Sequence, residues 1–260
     1  MDVFIIGDLH GHYEIFKRLL IQGAFCNDKL VWTGGKNHLW LIGDLFDRGP
    51  DGLACLDLTM HLQTMAKAEG GSINMLMGNH EMMLLCAYGF GDRLLQDGMS
   101  VRDQWRLWGG KISDLEGLRE HHVAWLKSLP LMARIEDHLL IHADSTFYVD
   151  FGHSVEVVNK RFADLIASTR LEDWIQTLNA FTEHKAFSSP PLSGVMRARR
   201  MLELYGAERL IHGHTPISIA SGIPAREVTQ AWTYADGLCI NVDGGLYLGG
   251  PGFVYRLNQS

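Results

Sequence analysis

Apolar and polar residues over the first 90 positions repeat one unit three times: a short apolar run, a Gly-Asp or Gly-Asn turn, then apolar residues at helical spacing. The runs are Val3 to Ile6 before Gly7-Asp8, Leu39 to Ile42 before Gly43-Asp44, and Ile73 to Met77 before Gly78-Asn79. Short apolar runs bounded by turn residues suit buried strands, and a 3.6-residue period suits amphipathic helices. The expected helix faces align Ile15, Leu19 and Leu20, then Leu53, Leu56, Met60 and Met65, then Met82, Met83, Leu85 and Cys86. Consecutive β-α units predict an α/β fold in which each strand delivers a polar side chain just past its carboxyl end.

The pattern changes after residue 90. Residues 91–128 are rich in Trp and charge (Trp105, Trp108 and Trp125, with Asp92, Arg93, Arg102, Asp103 and Arg106), which predicts helices outside the sheet. Strand signal returns at Met132 to Ile135, a turn at Glu136-Asp137, and Leu139 to His142, the pattern of a hairpin. Residues 150–207 read as helical, interrupted at Ser188-Ser189-Pro190-Pro191, and strands resume at Leu210 to His212, Leu238 to Val242 and Phe253 to Leu257. No linker, repeat or low-complexity tract divides the chain. The expectation is one domain over 1–260 with helical insertions at 91–128 and 145–205.

Composition narrows the chemistry. With 47% hydrophobic and 20% charged residues the chain has the usage of a folded protein, which excludes disorder, collagen and coiled coil. A formal charge of −7 argues against nucleic acid or an anionic membrane as partner. Cys26, Cys55, Cys86 and Cys239 form no Cys-x-x-Cys pair, so reduced, buried thiols are expected rather than disulfides or a thiolate metal site. The start of the chain shows no basic leader or small-residue cleavage site, and no apolar run nears the roughly 18 residues of a membrane span. These features predict a soluble cytoplasmic protein.

Thirteen His residues in 260 exceed ordinary usage and point to metal ligation or proton transfer. Asp8, His10, Asp44, Asp47, Asn79, His80, His142, His212 and His214 all stand in or beside turns at strand ends. A mixed Asp, His and Asn shell without thiolate suits Mn²⁺, Fe²⁺ or Zn²⁺. Two such ions about 3.5–4 Å apart would acidify a shared water, neutralise phosphoryl oxygens and orient an in-line attack on a phosphate ester.

Gly7-Asp8-Leu9-His10-Gly11, Gly43-Asp44-Leu45-Phe46-Asp47-Arg48-Gly49 and Gly78-Asn79-His80-Glu81 resemble, in order, the three signature blocks of the phosphoprotein phosphatase family of calcineurin-like metallophosphoesterases. The resemblance continues through Ser128-Leu129-Pro130-Leu131, His142-Ala143-Asp144, Gly213-His214-Thr215-Pro216 and Asn241-Val242-Asp243-Gly244-Gly245, and is to the compact bacterial and phage branch. It implies two packed β-sheets flanked by helices, a four-layer α/β/β/α arrangement. It implies two divalent ions, manganese with iron or zinc as alternatives: Asp8, His10 and Asp44 on the first, Asp44, Asn79, His142 and His214 on the second, Asp44 bridging. His80 would be the general acid, Asp47 would orient its imidazole, and Arg48 would grip phosphate oxygens.

The chain also departs from the family pattern. A second phosphate-binding Arg is expected between His142 and His214, and spacing does not choose among Arg161, Arg197 and Lys185. Segment 145–205 matches no block. His212, two residues before His214 on a strand, is expected to be structural or to support the site, and His12, His121, His122, His138, His153 and His184 to be solvated or packing residues. The Trp-rich segment is expected to pack, with adenine stacking by Trp105 or Trp108 as the alternative.

The function that follows is hydrolysis of phosphate monoesters by a hydroxide bridging two metal ions, with phosphoserine or phosphothreonine in proteins, or a small phosphoester, as substrate. The alternatives are a dinucleoside polyphosphate (diadenosine tetraphosphate) hydrolase and a non-catalytic phosphate-binding module.

Overall fold

The computed structural model describes residues 1–257. Its strands are β1 (Val3–Ile6), β2 (His38–Leu41), β3 (Ser72–Met75), β4 (Met132–Ile135), β5 (His138–Ile141), β6 (Arg209–His212), β7 (Trp232–Tyr234), β8 (Cys239–Asn241) and β9 (Tyr255–Arg256). One sheet has the order β3-β2-β1-β9 and the other β4-β5-β6-β8-β7. Within the first, β1, β2 and β3 are parallel, with Val3 opposite His38 and His38 opposite Ser72. Within the second, β5, β6 and β8 are parallel, and β4 and β7 run antiparallel at the edges.

Alternation along the strands explains the layering, because successive side chains point to opposite faces. Ile5, Leu140, Ile211 and Ile240 join Ile42, Leu76 and Val242 in an apolar cluster between the sheets. Their chain neighbours Ile6, Leu139, Ile141, Leu210 and Cys239 join a second cluster shared with the helices. Full burial of each aliphatic side chain stabilises the fold by about 1.5–3 kcal/mol, so a strand with both faces apolar is held from both sides. The result is two mixed sheets flanked by helices, the architecture that the signature blocks imply.

The α-helices among the described residues are α1 (Tyr13–Gln22), α2 (Gly52–Ala68), α3 (Asn79–Phe90), α4 (Val101–Leu107), α5 (Ile112–Gly117), α6 (Glu120–Lys127), α7 (Tyr148–Phe151), α8 (Val155–Ile166), α9 (Leu171–Phe181), α10 (Pro191–Tyr205) and α11 (Ile217–Ser221). Local chemistry sets several ends. The hydroxyls of Ser100 and Ser154 accept from Asp103 N–H and Val157 N–H at the starts of α4 and α8. α10 begins on Pro191 and ends at Gly206 in the left-handed region, φ 67°.

One expectation from the pattern needs correction. The face that α2 buries comprises Cys55, Leu56, Leu58, Thr59, Leu62 and Ala66, whereas Leu53, Met60 and Met65 are only partly covered, and the exposed stripe runs through Asp57, His61, Thr64 and Lys67. Strand β7 carries no signal in the sequence, because three residues, Trp232-Thr233-Tyr234, are too few to show alternation.

Helix α2 takes its cap from another helix. Asp51, directly before it, makes no capping side-chain bond, and Asp114 of α5 accepts from Leu53 N–H at 3.1 Å instead. Asp114 is 3% exposed, and its Oδ2 has no hydrogen-bond partner among the described residues. Burial outweighs the backbone donors and pushes this carboxyl up to about 6.

A folded-state pKa above the unfolded value means that the native state holds the extra proton, so stability falls as pH rises between about 4 and 6. Asp114→Asn keeps an acceptor for Leu53 and removes the titration. Chemical denaturation at pH 4, 5, 6 and 7 should show wild type losing about 1–3 kcal/mol relative to the variant across that window. A difference independent of pH would contradict the assignment.

Candidate metal centre

Six parallel strands, three from each sheet, point their carboxyl ends at one place, and the turns beyond them carry the polar residues picked out by sequence. Asp8 and His10 follow β1, Asp44, Asp47 and Arg48 follow β2, and Asn79 and His80 open α3 after β3. His142 follows β5, His214 follows β6, and Asp243 follows β8.

Asp44 is the centre. Its Oδ2 lies 3.7 Å from His10 Nε2 and 3.9 Å from His80 Nε2, and its Oδ1 lies 3.4 Å from His142 Nε2. Two groups with mutually close ligand atoms therefore share it: His10, Asp44 and His80, and Asp44, His142 and His214. Asn79 Oδ1 stands 2.9 Å from both His142 Nε2 and His214 Nδ1. Asp8 lies at the rim, its Oδ2 4.0 Å from His10 Nε2 and its oxygens accepting from His214 N–H at 3.0 and 3.2 Å.

The orientation of the rings suits cation binding. His10 Nδ1 bonds the Phe46 carbonyl and His142 Nδ1 the Ile42 carbonyl, each at 3.0 Å, which turns both Nε2 atoms inward. With its Nδ1 proton spent on a carbonyl, the His142 Nε2 lone pair faces the oxygens of Asn79 and Asp44. A proton or a cation must stand between such donors. The oxygen and imidazole set, lacking thiolate, fits a divalent first-row metal.

Electrostatics points the same way. Burial, then the neighbouring Asp243, raises Asp8 well above the usual carboxylate range. Burial and Asp44 push Glu81 up to about 7, and Asp243 likewise rises to about 7 through burial above all. Burial would raise Asp44 too, but the imidazoles of His142, His80 and His10 outweigh it and hold Asp44 well below its ordinary value. His142 moves up to about 10: burial opposes this, and Asp44, Asp8 and Glu81 overcome it. His10 is lowered by burial and then by His80, and His214 falls to about 3 through burial and then His142. A bound divalent ion favours carboxylate and neutral imidazole together, so it would oppose the upward shifts of Asp8, Glu81, Asp243 and His142 and reinforce the downward shifts of Asp44, His10 and His214.

Backbone geometry is specialised here. His10, Asp44, Asp47, Arg48 and His214 all adopt positive φ, between 45° and 68°, a region costly to non-glycine residues and typical of functional turns. Glu81 holds the turns together, its carboxylate accepting from the N–H groups of Asp44, Leu45 and Gly78 at 2.7, 2.7 and 3.0 Å. Glycine is required where carboxylates press on the chain. A Cβ on Gly78 would lie 2.2 Å from Asp44 Oδ1, and one on Gly213 would lie 2.1 Å from Asp8 Oδ1.

Beside this cluster His80 Nδ1 meets Asp47 Oδ2 at 2.6 Å. Arg48 places Nη1 2.8 Å from His10 Nε2, and its guanidinium carbon lies 4.0 Å from the centroid of the Tyr247 ring. The cleft above them holds about 360 Å³ and is lined by Arg48, Asn79, His80, Trp108, His184 and Tyr247, among others.

The nine residues given metal or catalytic roles from the sequence, Asp8, His10, Asp44, Asp47, Arg48, Asn79, His80, His142 and His214, thus stand together. His212 turns aside: its Nε2 bonds the Tyr234 hydroxyl at 2.8 Å. None of the three candidates for a second phosphate-binding residue lines this cleft. Arg161 lines a separate hollow with Asp150 and His153, and Lys185 and Arg197 line an adjoining groove. His184, expected to be a solvated or packing residue, is exposed and lines both the cleft and the groove. Tyr247 gave no signal in the sequence beyond its place two residues after Gly244-Gly245. The Trp pair divides: Trp108 is 43% exposed on the cleft wall, but Trp105 is 2% exposed and cannot stack on a ligand.

A family model of calcineurin-like phosphoesterases matches residues 1–218. The symmetrical bis(5'-nucleosyl)-tetraphosphatase of Glaesserella parasuis serovar 5 is 30% identical over 205 residues, covering 70% of this chain and 66% of that protein. Relatives bearing the same name are matched over 27 to 75% of their lengths, so the chain spans only part of them. The cold-active protein-tyrosine phosphatase of a psychrophilic Shewanella superposes with a TM-score of 0.75 at 21% identity, covering 99% of this chain and 75% of that one. A protein serine/threonine phosphatase of Saccharomyces cerevisiae superposes with a TM-score of 0.62 at 15% identity, covering 100% and 73%. These two likenesses concern the fold. By its matched length and its ordered signature blocks, the chain belongs to the calcineurin-like phosphoesterase family.

Proposed function

We propose that this metallophosphoesterase hydrolyses the phosphoanhydride of a dinucleoside polyphosphate, diadenosine tetraphosphate being the test substrate. The observation that carries the reading is the likeness to relatives named symmetrical bis(5'-nucleosyl)-tetraphosphatase. The cleft supports it: Trp108 offers an exposed indole face, and Arg48 lies on the same wall. Bases stack on aromatic side chains with about 1–3 kcal/mol each. The expectation of a protein substrate gives way to this one as the leading reading.

In the proposed site Asp8, His10 and Asp44 would hold one divalent ion, and Asp44, Asn79, His142 and His214 would hold the other. When bound, the ions supply Lewis acidity, neutralise phosphoryl charge and activate the attacking water. The chain's residues do the rest. Arg48 grips non-bridging phosphate oxygens through two parallel N–H groups. His80, fixed at Nδ1 by Asp47, carries a proton on Nε2 and passes it to the leaving oxygen. Trp108 and Tyr247 confine the substrate and exclude water from its flanks.

One observation favours the second reading, a serine/threonine protein phosphatase. The 2.6 Å Asp47–His80 pair is built for protonation, which an alkoxide leaving group needs far more than a nucleoside diphosphate does.

Comparing kcat/KM of the manganese-loaded enzyme on diadenosine tetraphosphate and on a phosphoserine peptide separates the readings. A preference of tenfold or more for the nucleotide is expected, and the opposite preference would install the protein phosphatase. Trp108→Ala should raise KM for the nucleotide about 5- to 100-fold, given the stacking energy; unchanged KM would remove the base platform. His80→Asn should retain bound metal and lose about 10²–10⁴-fold in turnover on an alkyl phosphate, with a smaller loss on p-nitrophenyl phosphate, whose leaving group needs less help. Equal losses on both would contradict the acid role.

A further inference from the structure

The Trp-rich segment between α3 and α6 reaches into the site from behind. Trp105, in the last turn of α4, directs its indole N–H at the carboxylate of Asp47, with Nε1 3.0 Å from Oδ1 and 3.1 Å from Oδ2. Asp47 is fully buried, and its Oδ2 also receives His80 Nδ1. Four residues past Trp105, the Gly109 carbonyl accepts the backbone N–H of Arg48 at 2.9 Å. One short helix and its exit turn therefore contact both Asp47 and Arg48, the two consecutive left-handed residues after β2.

We propose that Trp105 is the positioning residue of the Asp47–His80 pair, fixing the carboxylate so that His80 Nε2 faces the leaving oxygen. The proposal rests on the reading of His80 as general acid. An indole N–H is a donor only and carries no titratable charge, so it can hold a carboxylate in place without competing with it for a proton. It is itself held rigidly. A Cβ on Gly110 would lie 2.3 Å from the Trp105 ring, so the chain turns back directly onto the indole. Helix α4 packs on α3, the helix that carries His80. Both partners of the 2.6 Å bond are thus anchored on one helix pair. Without the indole donor the buried carboxylate keeps His80 as its only side-chain donor among the described residues and gains freedom to rotate about its own bonds. The imidazole then loses a fixed direction, and supporting contacts of this kind typically contribute 10- to 100-fold in activity.

The test compares turnover on an alkyl phosphate with that on p-nitrophenyl phosphate in the manganese-loaded chain. Trp105→Phe removes the donor, and site-specific replacement of Trp105 by benzothienylalanine removes it while keeping the fused-ring shape, so a folded sample exists even where Phe unsettles the packing. In both, the alkyl-to-aryl turnover ratio should fall about 10- to 100-fold, with metal content as in wild type. In the His80→Asn background the same replacements should leave the ratio where His80→Asn alone sets it. A ratio equal to wild type in the benzothienylalanine protein would overturn the proposal, as would an equal further fall in the His80→Asn background. If His80→Asn by itself leaves the ratio unchanged, the acid reading fails rather than the role of Trp105.

Discussion

Everything in this molecule is organised around Asp44, a carboxylate taken almost wholly out of water and surrounded by imidazoles and other carboxylates. Burial alone would protonate it, and charge from His142, His80 and His10 prevents that. Asp8, Glu81 and Asp243 crowd the same space, and burial above all raises their pKa values. Divalent cations relieve both conditions at once, since they favour ionised carboxylate and neutral imidazole. The opposed electrostatics of the chain and the ligand chemistry of its donors thus describe one requirement.

The fold meets that requirement by geometry and at a cost. Parallel strands of two sheets aim their carboxyl ends at a common point, so a single residue or two from each turn suffices. The turns adopt backbone conformations that cost on the order of 1–3 kcal/mol each. Glu81 offsets part of this through three backbone donors, tying the turn after β2 to the turn after β3. The apolar cluster between the sheets and the larger one under the helices supply the remainder, by fixing the strands from which the turns hang. Gly78 and Gly213 are needed because carboxylate oxygens occupy the space where a Cβ would stand.

Much of this was legible in the sequence because the signal is local. Asp8, His10, Asp44, Asn79 and their neighbours sit at fixed offsets from apolar runs, and β1 and β4 lie at the positions that their patterns predict. What sequence could not give depends on contacts between distant segments. Trp105 reads as an ordinary core residue until Asp47 is placed beside it, 58 positions away. Tyr247 acquires meaning only under Arg48, and Asp114 only at the start of α2. His184 carried no block context, and only the tertiary path of the chain between α9 and α10 brings it to the cleft wall.

The gathering of ligands around a shared carboxylate is tested most directly by counting ions. Equilibrium dialysis against manganese, followed by elemental analysis, is applied to the wild-type chain and to Asp44→Asn. Two ions per wild-type chain are expected, with loss of at least one in the variant, because Asp44 presents an oxygen to each group of ligands. Wild-type protein that binds no manganese, or a variant that binds as much as wild type, would contradict a pair of cations organised by Asp44.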